Sequence, residues 1–139
     1  MKASIVVIAA ASLLTAACAS NPPPPREPSQ LSGVELYEQL CASCHGVSAH
    51  GDGPVAPLIK TGVPDLTRLA HRDGGEFPAE DVRRMIDGRW DRRAHGARDM
   101  PVWGWQFYDS SNPNDAEERA RVDATIDRLV GYLRSIQKN

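Results

Sequence analysis

The stretch Cys41-Ala42-Ser43-Cys44-His45 decides how this chain is read. Its two thiols are three residues apart, a spacing that puts both on one face of a helix, and an imidazole follows at once. Three chemistries use such a group. A thioredoxin-like redox pair needs a strand-rich βαβ setting, and no strand-like alternation flanks the motif. A zinc site needs two further ligands; His50, His71 and His95 are the candidates, because the remaining cysteine, Cys18, falls in a leader segment.

The third chemistry is covalent attachment of a c-type haem. Cys41 and Cys44 add to the two vinyl groups and His45 becomes an axial iron ligand, so the chain that grips the porphyrin rim also aims a nitrogen at its centre. The spacing favours this reading, with one haem per chain. The stretch leading to the motif reads as helix from Ser32 to Cys44: Ser32 and Glu35 form a capping box, and Val34, Tyr37, Leu40, Cys41 and Cys44 make one stripe.

Working outward, the amino terminus reads as an export signal. Lys2 supplies the positive end, Ile5 to Leu14 an apolar run too short for a membrane span, and Thr15-Ala16-Ala17 the small residues before a cleavage site. Leu14-Thr15-Ala16-Ala17-Cys18 looks like a bacterial lipobox, with Thr15 where leucine is typical. That resemblance implies a lipidated Cys18 on the periplasmic side of a membrane, against the alternative of plain signal cleavage. Asn21 to Gln30 then form a linker in which Pro22 to Pro25 favour polyproline II, a semi-rigid spacer of roughly 3 Å per residue. The expected organisation is a signal peptide over 1–17, a lipidated cysteine and linker over 18–30, and one domain over 31–139. Net charge is −2 for 139 residues, which gives no nucleic-acid footprint.

Past the motif, Gly46, Gly51, Gly53, Pro54 and Pro57 mark a loop. A short helix is expected over Asp65 to His71, stopped at Gly74-Gly75, and a better one over Pro78 to Asp87, closed by Gly88, with Val82, Met85 and Ile86 in the core. Arg83 to Arg98 holds six arginines against Asp87 and Asp91, by default a solvated face. Met100 lies outside any periodic pattern, with Pro101 stiffening the backbone after it. A thioether there suits the sixth iron position, and His95 is its rival. Trp103, Trp105, Phe107 and Tyr108 are expected to wall the distal side. Asn114 and Glu117 start a last helix whose apolar face is Val122, Ile126, Leu129, Val130, Leu133 and Ile136.

Gly33, Leu36 and Tyr37 ahead of the haem motif, Met100-Pro101-Val102-Trp103, and the terminal helix resemble the class I cytochrome c family from Gly33 to about Ile136. The resemblance implies a small all-α domain wrapped around the haem. It implies that Gly33 lets the last helix cross the first closely, and that Tyr132-Leu133 brings an aromatic onto the first helix. It also implies a loop proline whose carbonyl accepts from the proximal histidine, Pro54 by first choice and Pro57 by second. The implied activity is one-electron transfer to redox partner proteins rather than catalysis. Two alternatives stand: a haem subunit of a respiratory or sulfur-oxidising complex, and a peroxide- or gas-binding protein with a labile sixth ligand.

Overall fold

A computed structural model of the chain describes residues 24–88, 100–108 and 115–138. Cys18, the leader, His95, the arginines of 89–98 and Asn114 lie outside them. The described residues form helices and loops with no strand, the all-α class expected. The helices are α1 (Gly33–Leu40), α2 (Ala42–His45), α3 (Leu69–Arg72), α4 (Ala79–Asp87), α5 (Trp103–Gln106) and α6 (Ala116–Ser135), with 3₁₀ turns at Pro28–Gln30, Ala56–Leu58 and Leu66–Arg68.

Helix α1 begins where its capping box puts it: the Ser32 hydroxyl accepts from the Glu35 amide, and the Glu35 carboxylate accepts from the Ser32 amide at 2.8 Å. The expected continuous helix to Cys44 is instead broken at Cys41 (φ −116°), and α2 resumes beyond it. Val34 is exposed, while Leu36 and Tyr37 are fully buried.

Helix α6 is the backbone of the domain. Asp115, rather than Asn114, caps it, its carboxylate accepting from the Glu117 and Glu118 amides. Val122, Ile126, Leu129, Val130 and Leu133 are buried along its inner face, meeting Leu36 and Tyr37 of α1, Val82 and Ile86 of α4, and Phe107 after α5. Each such side chain contributes about 1.5–3 kcal/mol of burial, so this strip is the main source of stability.

The α1–α6 crossing is close because Gly33 has no side chain; a Cβ there would sit 2.2 Å from the Arg128 carbonyl oxygen. Tyr37 and Tyr132 pack with ring centroids 5.1 Å apart, the aromatic contact that the resemblance implied.

Helix α4 runs from Ala79 to a Gly88 cap, close to the expected span. Val82 and Ile86 are buried but Met85 is 57% exposed, contrary to its placement in the core. At about 100° per residue, Met85 is turned roughly 60° from Val82 and 100° from Ile86, and that turn carries it past the α6 contact. Arg83 ties α4 to α6, with Asp123 at 3.3 Å and Asp127 at 3.6 Å, and Arg84 pairs with Asp81 inside its own helix at 2.5 Å. These two arginines therefore serve helix contacts rather than a free basic face.

Both termini of the described domain are tied down. The last linker residues are folded onto α6, because the Arg128 guanidinium donates to the carbonyls of Pro28 (3.3 Å), Ser29 (3.1 Å) and Leu31 (2.8 Å). At the other end, the Gln137 amide donates to Leu66 O (2.8 Å) and accepts from the Ala70 amide (2.9 Å), and the Lys138 amide donates to Thr67 O (2.8 Å). The segment 66–70 is thus held against the end of the chain.

Candidate functional site

Helix α2 carries the motif and is fixed from three directions. Its amino end follows Cys41, whose amide donates to Tyr37 O at 2.9 Å. Beneath it, the buried Tyr37 hydroxyl donates to Gly46 O at 2.6 Å, which pins the turn immediately after His45. From the loop, the Gly53 amide donates to Cys44 O (3.1 Å) and the Val55 amide to Ser43 O (2.9 Å). Carbonyls that a four-residue helix leaves without partners are thereby satisfied.

Cys41 and Cys44 are free thiols, each half-buried. Burial, and secondarily the neighbouring Cys44, pushes the Cys41 thiol up to about 12, so it is protonated at neutral pH. His45 is half-buried as well. Burial lowers its pKa below the ordinary histidine value, which favours the neutral ring, the form that ligates a metal, although a bond to Pro64 opposes the shift.

That bond is the informative one. His45 Nδ1 lies 3.3 Å from the carbonyl oxygen of Pro64. With Nδ1 as donor, the tautomer is set and Nε2 is left with its lone pair free to ligate a metal. The sequence placed this role on Pro54 or Pro57, and the structure gives it to neither. Pro54 follows Gly53, which is bonded to the backbone of α2, and Pro57 lies in the 3₁₀ turn Ala56–Leu58; both rings are exposed. Pro64 lies nineteen residues beyond His45, and the only local signal was that it precedes Asp65, a recognisable helix cap.

Asp65 does cap the following turn, accepting from the Thr67 amide at 2.8 Å and hydroxyl at 2.7 Å. The Thr67 hydroxyl and amide hold its carboxyl below the usual range, with a smaller contribution from His50. His50, weighed above as a zinc ligand, bridges instead: its Nδ1 lies 3.3 Å from Asp65 Oδ2 and its Nε2 3.2 Å from Lys138 Nζ. His71 is exposed on α3. Among the described residues, no three His, Cys, Asp or Glu side chains group to hold a metal ion, so no zinc site is assembled there.

Met100 is half-buried and packs against the core, immediately ahead of Pro101 and α5. Trp103 stacks on Phe107 with centroids 6.3 Å apart, and Phe107 is buried against α6, its carbonyl accepting from Arg121 at 2.8 Å. Trp105 is 55% exposed, so it does not join Trp103 and Phe107 in the interior.

Two free thiols and an oriented imidazole stand together on and beside α2, and are the groups that covalent attachment of a haem uses: two sulfurs for the vinyl groups and one nitrogen for iron. Large apolar side chains in the loop after His45, Val47, Val55 and Leu58, are exposed. Among the described residues, no helix is long and apolar enough to cross a membrane.

Neither a search of curated proteins nor a search of solved structures found a match. The Cytochrome c family model matches residues 31–137, nearly the whole domain described above. With that match and a helical fold that presents Cys41, Cys44 and His45 together, the chain belongs to the cytochrome c family.

Proposed function

We propose that this protein is a one-electron carrier with a single covalent haem, held by Cys41 and Cys44 and ligated by His45 and Met100. Membership of the family makes it a haem-containing electron carrier. The observation that carries the finer reading is the 3.3 Å approach of His45 Nδ1 to Pro64 O beside two free thiols. It orients the imidazole and makes it a stronger donor.

When bound, the haem supplies the Fe(III)/Fe(II) couple. The chain's own part is to hold, orient and enclose. Cys41 and Cys44 fix one porphyrin edge, and the Tyr37–Gly46 bond keeps the turn after His45 from moving. Met100, on a stretch stiffened by Pro101, supplies the soft ligand that raises the reduction potential. With His45 and Met100 both holding the iron, the chain would leave no position for a substrate, which favours transfer over catalysis. Contacts with redox partners are then small and short-lived.

The placement proposed is the periplasmic side of a membrane. Its support is the sequence: an export signal, a lipobox-like Leu14-Thr15-Ala16-Ala17-Cys18, and a proline-rich spacer that would hold the domain off its anchor.

A redox titration of the mature protein followed by optical spectroscopy tests the assignment. One low-spin haem with a single one-electron transition is expected, together with a methionine-to-iron charge-transfer band in the oxidised form. Met100→Leu abolishes that band if Met100 is the ligand; an unchanged spectrum assigns the position to another residue. Rapid carbon monoxide binding by the reduced protein at neutral pH would refute the closed site.

A further inference from the structure

The carbonyl that receives the His45 proton belongs to the peptide unit joining Pro64 to Asp65. That unit is planar, so the direction of its oxygen depends on how its two flanking residues are held. Pro64 has a ring that fixes φ and no N–H to anchor. Positional control therefore falls on Asp65.

Asp65 is restrained far beyond what a helix cap needs. Its Oδ1 accepts from the Thr67 amide and hydroxyl at 2.8 and 2.7 Å, and its own carbonyl accepts from the Arg72 guanidinium at 2.8 Å. One acceptor oxygen would cap the turn. The second, Oδ2, is 3.3 Å from His50 Nδ1, and His50 in turn meets Lys138 at 3.2 Å. The neighbouring Leu66 amide donates to Ala49 O at 2.7 Å, and Gly51 packs so closely that a Cβ there would lie 2.2 Å from Val63 O. The loop after His45, the turn after Pro64 and the end of the chain thus converge on one residue.

We propose that Asp65 is a positioning residue for the axial imidazole: through Thr67, Arg72 and His50 it holds the Pro64 carbonyl on His45 Nδ1, and so sets the electron richness of the ligand and the reduction potential. This rests on the reading of His45 as the proximal ligand. The direction follows from the chemistry. A firm bond to the carbonyl gives the imidazole anionic character, favours Fe(III) and lowers the potential. The carboxylate charge acts in the same direction, since a nearby negative charge favours the more positive state of the iron.

Asp65→Asn keeps an oxygen for the Thr67 amide but removes the charge and weakens the hold on His50. His50→Gln leaves the Asp65 charge in place and removes the imidazole bridge, and it changes an exposed side chain rather than a core one. Both variants are to be compared with the unsubstituted holoprotein by optical spectrum, midpoint potential and, in the reduced diamagnetic state, the NMR resonance of the His45 Nδ1 proton.

If Asp65 positions the ligand, both substitutions raise the midpoint potential and move the Nδ1 proton upfield, while the haem stays low-spin and covalently bound. Loss of charge alone would not produce this pattern, because deleting the His50 bridge removes no negative charge. A potential that rises in Asp65→Asn while the proton resonance stays fixed in both variants overturns the proposal. So does no change in either measurement. An unsubstituted protein without a low-spin haem overturns the underlying reading, and the proposal falls with it.

Discussion

A side chain at Gly33 would place its first carbon 2.2 Å from the carbonyl oxygen of Arg128 and 3.0 Å from Tyr132 Cβ. The obstacle at 2.2 Å is helix backbone, which cannot swing aside as a flexible side chain can. Gly33→Ala must therefore push α1 away from α6, loosening Leu36 and Tyr37 against Ile126, Leu129 and Leu133. Overpacking of this kind costs about 1–3 kcal/mol, and a backbone obstacle puts the expected loss at the upper end. Urea unfolding of the holoprotein reads it directly; a midpoint equal to that of the unsubstituted protein would show that the crossing is not tight.

The Tyr37 hydroxyl offers a separate test. It donates to Gly46 O at 2.6 Å in a fully buried setting. Tyr37→Phe removes the donor, keeps the ring that packs on Tyr132, and leaves a buried carbonyl without that bond. The expected cost is about 1–3 kcal/mol, with faster hydrogen exchange in the turn that follows His45. A loss of stability without that local change in exchange would place the hydroxyl's contribution elsewhere.

Acid sensitivity has a traceable source in the α1 cap. The Arg26 side chain, and then the Ser32 amide and hydroxyl, hold the Glu35 carboxyl down to about 2, against an ordinary value of 4.5. Between those two values the unfolded chain binds a proton that the folded chain does not, so stability falls as pH drops through that window and is fully present above it. Asp65, held low chiefly by Thr67, contributes with the same sign. The Glu35 effect is small because the group is open to water. Glu35→Gln should lower stability near neutral pH and flatten the loss between pH values of about 4.5 and 2, as measured by denaturant unfolding across that range. A variant with the same pH slope as the parent would contradict the assignment.

The parts of this molecule legible in its sequence are those whose cause is local. Ser32 and Glu35 are three residues apart and announce a helix start; Gly88 announces a stop; Val122 to Leu133 repeat with a helical period. The motif at Cys41, Cys44 and His45 is legible for the same reason, being five consecutive residues. What escaped has its cause elsewhere in the chain. Met85 shares a helix with Val82 and Ile86, and only the position of α6 decides that it faces out. Pro64 is one of several prolines after His45, and the choice among them is made by the bonds from Leu66 to Ala49 and from Lys138 to Thr67, pairs that no local pattern joins. The break at Cys41 belongs with these. Ser32 to Cys44 has a helical pattern throughout, and the interruption is visible only once the backbone is traced.

Arg128 shows how a long-range contact alters a segment that reads as a linker. Its guanidinium donates to the carbonyls of Pro28, Ser29 and Leu31 and to the Thr125 hydroxyl, and Arg26 reaches Glu35 on α1. Residues Pro28 to Leu31 are therefore held against α6, and any tether ahead of them leaves from a fixed point on that helix rather than swinging from Leu31. Arg128→Ala deletes these donors at once. The Gln30 and Leu31 amides, bonded within the turn at 2.8 and 3.2 Å, should then exchange faster by about tenfold or more, as expected if the lost contacts are worth about 1.4 kcal/mol locally. The buried Leu129 amide of the same helix serves as the internal control and should keep its rate unless the whole domain is destabilised. Equal acceleration at Leu129 would mean that Arg128 supports the α1–α6 interface as a whole; unchanged exchange at Gln30 and Leu31 would mean that the turn holds itself. Selective acceleration is expected, because the deleted bonds run to Pro28–Leu31 carbonyls while the core strip of α6 is packed by apolar contacts that Arg128 does not make.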